Sequence, residues 1–239
     1  MAYNFSPKIV TDGLVLYLDA ANTRSYVSGS TTWNDISRSG NNGTLTNGPT
    51  FNSTNGGYFI FDGTNDFAAM NSVINTGQNF SVFAWVYLGN INIRNAVFGN
   101  GYPYQSTRGW LFATATGYFG LTDTFFISIG QDERGATTAN NTLDRNKWNY
   151  IGATVSSGGT SIKLYKNGLE TQYFSRTQGA FNITYTFNES SVARRYSTTP
   201  EVFNGNIAIT QVYHRVLTPT EILQNYNSTK SRFGLWVEM

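Results

Sequence analysis

The chain has 239 residues, 40% hydrophobic and 15% aromatic, with a formal charge of +2 and only 13% charged side chains. It contains no cysteine, which excludes disulfides, thiolate nucleophiles, thiolate zinc sites and iron–sulfur clusters; no Lys/Arg cluster exceeds the pair Arg194-Arg195, so the electrostatic footprint of a nucleic-acid binder is missing. No apolar run approaches the roughly 20 residues of a membrane helix, and membrane insertion is not expected.

The 17 Phe, 15 Tyr and 5 Trp are ample for the core of one large β-sandwich, a class that reaches this length without dividing. With so few charges the exterior must be wetted by hydroxyls and amides, which 30 Thr and 27 Asn supply. Met1 to Pro7 (MAYNFSP) carries neither the basic start nor the apolar run of a secretory signal, so synthesis in the cytoplasm without a signal peptide is expected.

In chain order, short β-branched and aromatic runs bounded by Gly, Asn, Ser and Asp predict strands at 14–19, 43–46, 58–61, 80–88, 96–98, 110–113, 118–122, 125–129, 148–155, 161–166, 170–174 and 206–215. Segments 53–57 and 137–142 read as polar loops. In 81–88, Val82, Ala84, Val86 and Leu88 share one face and Phe83, Trp85 and Tyr87 the other, which predicts a central strand buried on both sides. Along 161–166, Ile162 and Leu164 alternate with Lys163 and Tyr165, the pattern of a half-buried strand; Asn167-Gly168 then gives a type I′ hairpin turn. Near the end, Thr218-Pro219-Thr220-Glu221 reads as a capping box with Pro at the first helical position, and Ile222, Leu223 and Tyr226 share a face. This helix is expected to pack on the sandwich edge and to end near Gly234.

Four segments then stand in a specific order: 13–20 (GLVLYLDA) with Thr32-Trp33-Asn34-Asp35 and 41–45 (NNGTL); 59–67 (FIFDGTNDF) beside the Trp85 strand; Trp148-Asn149-Tyr150-Ile151 leading to 164–168 (LYKNG); and 203–208 (FNGNIA) running to Arg215-Val216-Leu217 and the helix. Together they resemble the concanavalin-A-like lectin/glucanase fold, and within it the laminin-G-like jelly-roll domains of tailed-phage structural proteins, cyanophage-like ones in particular. The resemblance implies an all-β, two-sheet antiparallel jelly-roll sandwich with one short C-terminal helix. It divides the chain into an extension at 1–12, a jelly roll at 13–234 and a tail at 235–239. It further implies a virion component, and this fold hosts lectins, glycosidases and structural modules alike, so the site residues must decide.

A retaining glucanase needs two carboxylates about 5–5.5 Å apart, on this fold usually from a Glu-x-Asp-x-x-Glu strand. Glu133, Glu170, Glu189, Glu201, Glu221 and Glu238 belong to no such pattern, and Asp132-Glu133 would point to opposite faces of a strand. The single histidine, His214, lacks the partners of a general base or a histidine-based zinc site and reads as exposed or capping. Catalytic residues are therefore not expected. A structural calcium ion would draw on Asp62, Asp66, Asp123 and Asp132, against the simpler reading of 62–66 as turn chemistry.

The candidate binding residues are Asn100, Tyr102, Tyr104, Gln105 and Arg108, a loop whose aromatics and amides suit either a sugar ring or a protein neighbour. Trp33, Trp85, Trp110 and Trp148 are assigned to packing, and Trp236 is a candidate anchor that docks on its own sandwich or on a partner. The expected function is a non-enzymatic bacteriophage virion protein at the virion surface, a capsid decoration or head, neck or tail appendage. It would be held by contacts with other virion proteins, the major capsid protein or itself. The alternative is a lectin-like module that attaches a particle to host surface polysaccharide.

Overall fold

The computed structural model describes residues 7–89, 94–101, 109–117, 120–130, 134–179, 183, 189–195 and 201–235. Among these, one sheet of eight strands runs in spatial order β14 (Leu169–Glu170), β13 (Ser161–Lys166), β12 (Trp148–Ser156), β7 (Phe80–Tyr87), β19 (Asn204–Tyr213), β5 (Tyr58–Asp62) and β4 (Thr50–Asn52). The eighth, β1 (Leu14–Asp19), pairs with the second half of β19, whose first half pairs with β5. The facing sheet runs β15 (Tyr173–Thr177), β11 (Arg134–Thr138), β10 (Thr124–Ile129), β9 (Trp110–Ala115), β8 (Asn95–Asn100), β16 (Ser190–Val192), β6 (Phe67–Met70), β3 (Gly43–Thr46) and β2 (Thr32–Trp33). A small ribbon pairs β17 (Arg194–Arg195) with β18 (Glu201–Val202). The pairings are antiparallel, and the fold is the jelly-roll sandwich with one short C-terminal helix that the sequence predicts.

Strand β7 is central, between β12 and β19, and its two apolar faces serve two different layers. Val82, Ala84 and Val86 enter the inter-sheet core with Leu16, Leu18, Phe59, Phe61, Trp110, Phe112 and Ile151. Phe83 and Trp85 face the other way into a second apolar layer with Tyr150, Tyr213, Ile222 and Phe233. That layer exists because helix α1 (Pro219–Thr229) covers this face of the sheet, so the helix lies on a sheet face and not on the sandwich edge as expected. Tyr226 and Phe233 stack on the Trp85 ring at 5.8 and 4.1 Å.

The helix begins as predicted: the Thr218 hydroxyl accepts from the Glu221 N–H, the Glu221 carboxylate accepts from the Thr218 N–H at 2.8 Å, and Pro219 stands in the first turn. It ends through a 3-10 turn, Lys230–Phe233, at Gly234 with φ 74°. Its buried face is Ile222, Asn225 and Thr229, while Leu223, expected inside, is 39% exposed. The polar residues took the inner positions because the sheet beneath offers hydrogen-bonding groups, notably the Tyr213 hydroxyl and the Trp85 indole.

Other expectations are corrected. No strand forms at 120–122, where positive φ at Gly120 and Asp123 turns the chain; Tyr118 and Phe119 lie outside the described residues. The single strand expected at 170–174 is two short ones, β14 and β15, because the chain crosses there from one sheet to the other. Thr137 and Thr138, read as loop, belong to β11. Tyr165 is buried in the layer under the helix, not half-exposed. The Asn167-Gly168 turn has positive φ at both residues, 52° and 86°, as its hairpin requires.

Candidate functional site

The outer face of the nine-stranded sheet is built by alternation. Along β10, Phe125, Ile127 and Ile129 enter the core, which turns Phe126 and Ser128 outward opposite Ala113 and Leu111 of β9. These outward residues are nevertheless buried, with Ser128 7% exposed. The β17–β18 ribbon lies against the same face: a Cβ on Gly99 of β8 would fall 2.7 Å from the Arg194 carbonyl oxygen, so only glycine admits the ribbon's backbone there.

The ribbon brings charge to this apolar floor. The Glu201 carboxylate receives Arg94 Nη1 at 3.1 Å and Arg195 Nη2 at 3.1 Å. The Arg94 guanidinium sits 6.0 Å from the centre of the Phe126 ring. Arg194 lies 3.5 Å over the Phe67 ring, with Glu189 at 3.9 Å. Glu201 Oε2, within this cluster, and Ser128 Oγ, two residues along β10 from Phe126, are buried without a hydrogen-bond partner. A buried acceptor or hydroxyl left unpaired costs about 1–3 kcal/mol, and both atoms are closed off from the surface.

The residues singled out from the sequence fall elsewhere or outside view. Asn100 ends β8 with its amide turned inward: Oδ1 accepts from the Ile74 N–H at 3.2 Å and from the Ser190 hydroxyl, and Nδ2 donates to the Ile74 carbonyl at 2.8 Å. That fully buried amide pins the 74 segment. Tyr102, Tyr104, Gln105, Arg108, Asp132, Glu133 and Trp236 lie outside the described residues. Trp33, Trp85, Trp110 and Trp148 are all buried, the second and fourth in the layer under the helix. His214 is exposed, its backbone N–H held by Gly13.

The calcium candidates have other occupations. Asp62 Oδ1 accepts from the Thr64 and Asn65 N–H groups at 2.8 and 3.3 Å, and the Thr64 bond holds its carboxyl below the usual carboxylate range. Asp66 accepts from the Asp62 N–H, and burial pushes its carboxyl up. Asp123 is clamped by Arg145 at 2.7–2.8 Å. No group of three or more His, Cys, Asp or Glu that could hold a metal ion occurs among the described residues.

Sequence reasoning missed the outer-face cluster. Arg194-Arg195 was visible only as the largest basic pair, and what joins it to Arg94, Glu201 and Phe126 is a pairing of elements distant in sequence. The one local signal was Ser128, a polar residue interrupting an otherwise apolar run.

Residues 61–223, more than half of the chain, match the family described as the concanavalin A-like lectin/glucanases superfamily. No curated protein matches the sequence. Among solved structures, domain 4 of AbnA, a GH43 extracellular arabinanase from Geobacillus stearothermophilus in complex with arabinotriose, is similar at TM-score 0.66 and 14% identity, over 89% of this chain and 98% of that one. Trypanosoma rangeli sialidase in complex with the inhibitor DANA is similar at TM-score 0.65 and 14% identity, over 96% of this chain and 36% of the sialidase. The botulinum neurotoxin serotype D binding domain gives TM-score 0.65 and 15% identity, over 91% of this chain and 52% of that one. At such identities the likeness is one of fold. It does overturn the expectation of a chain without enzyme activity, since domains of this architecture occur within glycoside hydrolases, an arabinanase and a sialidase. The absent Glu-x-Asp-x-x-Glu pattern removes one catalytic arrangement.

Proposed function

Since the chain belongs to the concanavalin A-like lectin/glucanase superfamily, we propose that it is a carbohydrate-binding domain whose ligand lies on the outer face of the nine-stranded sheet. The feature that carries this reading is the cluster of Glu201 with Arg94 and Arg195 beside the Phe126 ring, which puts carboxylate, guanidinium and aromatic groups together on one sheet face. Sugar hydroxyls donate and accept at once, so a ring can pair with the charged groups at the rim of this cluster while its C–H face lies on an aromatic. Tyr102 and Tyr104, which follow β8 in sequence, are proposed as stacking residues for a glycan. The arabinotriose bound to the AbnA domain makes arabino-oligosaccharides a first set to try.

A glycan array followed by calorimetry tests this. Arg94→Gln and Glu201→Gln should each weaken the best glycan by about fivefold or more, the worth of one hydrogen bond, with the fold intact. Absence of any glycan ligand, or affinity indifferent to both substitutions, would overturn it.

A second reading places such a domain on a virus particle through protein contacts. It is favoured by apolar side chains exposed at one edge of the sandwich, Leu169 at 68% and Phe174 at 55%, with Leu223 of α1 at 39%. Residues of this kind are typical of protein interfaces. Finding the protein in purified particles would support it, and loss of incorporation on Phe174→Ser would tie it to that edge.

A further inference from the structure

A separate pocket of about 630 Å³ lies on the opposite sheet, where the segment from Pro7 to Thr11 passes over β1 and meets the end of α1. That size is within the range of small-molecule sites. Its floor follows from alternation: Leu16 and Leu18 enter the core, which leaves Tyr17 and Asp19 facing the pocket. Asp19 Oδ1 accepts from Arg232 Nη1 at 2.8 Å and from the Ala21 N–H at 3.0 Å, and is filled. Asp19 Oδ2 accepts from the Tyr17 hydroxyl at 3.2 Å and keeps a lone pair. Burial pushes the Tyr17 hydroxyl up, so it stays a phenol and a donor.

The opposite wall is fixed in place. The Lys8 carbonyl accepts from Gln224 Nε2 at 2.7 Å, and the Val10 N–H donates to Asn225 Oδ1 at 2.8 Å, which anchors the N-terminal segment to the helix. Pro7 and Ile9 give this wall an apolar surface, and Lys8 sets an exposed ammonium at its rim. Ser228 donates its proton to the Asn225 carbonyl at 2.7 Å, which leaves its oxygen as an acceptor. Of the charged residues lining the pocket, Lys8 and Arg232 outnumber Asp19 by one.

From this set we propose that the pocket binds a hexuronic acid unit, free or at the end of an acidic polysaccharide. The ring's carboxylate meets the Lys8 ammonium, its hydroxyls donate to Asp19 Oδ2 and Ser228, and its C–H face rests on Pro7 and Ile9. A neutral hexose would leave the excess positive charge unmatched, and a bare carboxylate would leave the Asp19 acceptor unused. The site is independent of the outer-face cluster, which lies on the other sheet.

Calorimetry or amide chemical-shift titration of the full chain with sodium glucuronate and sodium galacturonate, their methyl esters, and acetate tests the proposal. At least one acid should bind about tenfold more tightly than its ester and than acetate, the effect of one charge-assisted contact. Lys8→Gln, which spares the backbone bond to Gln224, should weaken the acid by a similar factor, and Ser228→Ala by a few-fold. Ser128→Ala on the other sheet should change nothing. Equal binding of acid and ester, acetate binding as well as either acid, no shift with either acid, or affinities untouched by both Lys8→Gln and Ser228→Ala would overturn it. A short oligogalacturonide that binds more tightly than the monomer would identify a polymer end as the natural source. Equal affinity would identify the free sugar acid.

Discussion

The indole Nε1 of Trp85 donates to the hydroxyl of Thr229 at 2.8 Å, tying the central strand of the eight-stranded sheet to the last turn of the helix 144 residues later. Both residues are buried, so water cannot replace the bond. Thr229 in turn donates to the Asn225 carbonyl at 3.0 Å. Thr229→Val keeps the shape and removes the acceptor, leaving the Trp85 N–H buried and unpaired. The expected loss is about 1–3 kcal/mol, read as a lower urea midpoint with unchanged slope.

Glu221 carries the acid sensitivity of the same helix. Hydrogen bonds from Arg215, at 2.6 and 3.0 Å, and then from Thr218 bring its carboxyl down to about 2 from 4.5. A carboxyl depressed in the folded state contributes stability that is complete above its ordinary range and lost as pH falls from about 4.5 toward 2. The pair is about a quarter exposed, so solvent screening reduces the contribution to on the order of 1–2 kcal/mol. Glu221→Gln should lower stability at pH 7 by about that amount and flatten the decline between pH 4.5 and 2. Denaturant titrations across that window measure both.

Gly152 of β12 stands opposite Phe83 of β7, and a Cβ at that position would lie 1.9 Å from the Phe83 ring. The ring cannot retreat, being fully buried and stacked on Tyr150 at 5.4 Å with 16° between planes. Gly152→Ala should therefore cost about 3 kcal/mol or more, the upper end for an overpacked core. A midpoint within experimental error of the parent would show that the second apolar layer is loosely packed.

What could be read ahead of the structure was whatever repeats within a few residues. The two-faced run 81–88, the Asn167-Gly168 turn and the Thr218 capping box are local signals, and all three stand. Strands with little apolar content, such as Arg134–Thr138 and Ser190–Val192, escaped because they are held by neighbours on the sheet and not by their own pattern. The helix face was misread at Leu223 for a related reason: Asn225 and Thr229 look like surface residues until Tyr213 and Trp85 are brought beneath them. The outer-face cluster joins Arg94 to Glu201 across 107 residues, a relation that no periodicity records.

The Trp33-Asn34-Asp35 segment, singled out in sequence as a motif, owes its place to the carboxylate of Asp35. Oδ1 accepts from the N–H groups of Tyr17 and Ser37 at 2.9 and 2.8 Å, and Oδ2 from the Ser37 hydroxyl and the Asn41 N–H at 2.8 and 3.0 Å. Asn42 closes the loop by accepting from the Asp35 N–H at 2.9 Å. One side chain thus holds the 35–42 loop against β1, beside Tyr17 of the proposed uronate pocket. Asp35→Ala should cost about 2–4 kcal/mol, since charge-assisted bonds are worth about 1.5–3 kcal/mol each but the loop amides regain water. Asp35→Asn keeps the acceptor for Tyr17 and Ser37 and turns an NH2 toward the Asn41 N–H, so its loss should be smaller. Hydrogen exchange separates the two substitutions. Protection at the Tyr17 amide should survive in Asp35→Asn and fall in Asp35→Ala, whereas protection at Asn41 should fall in both.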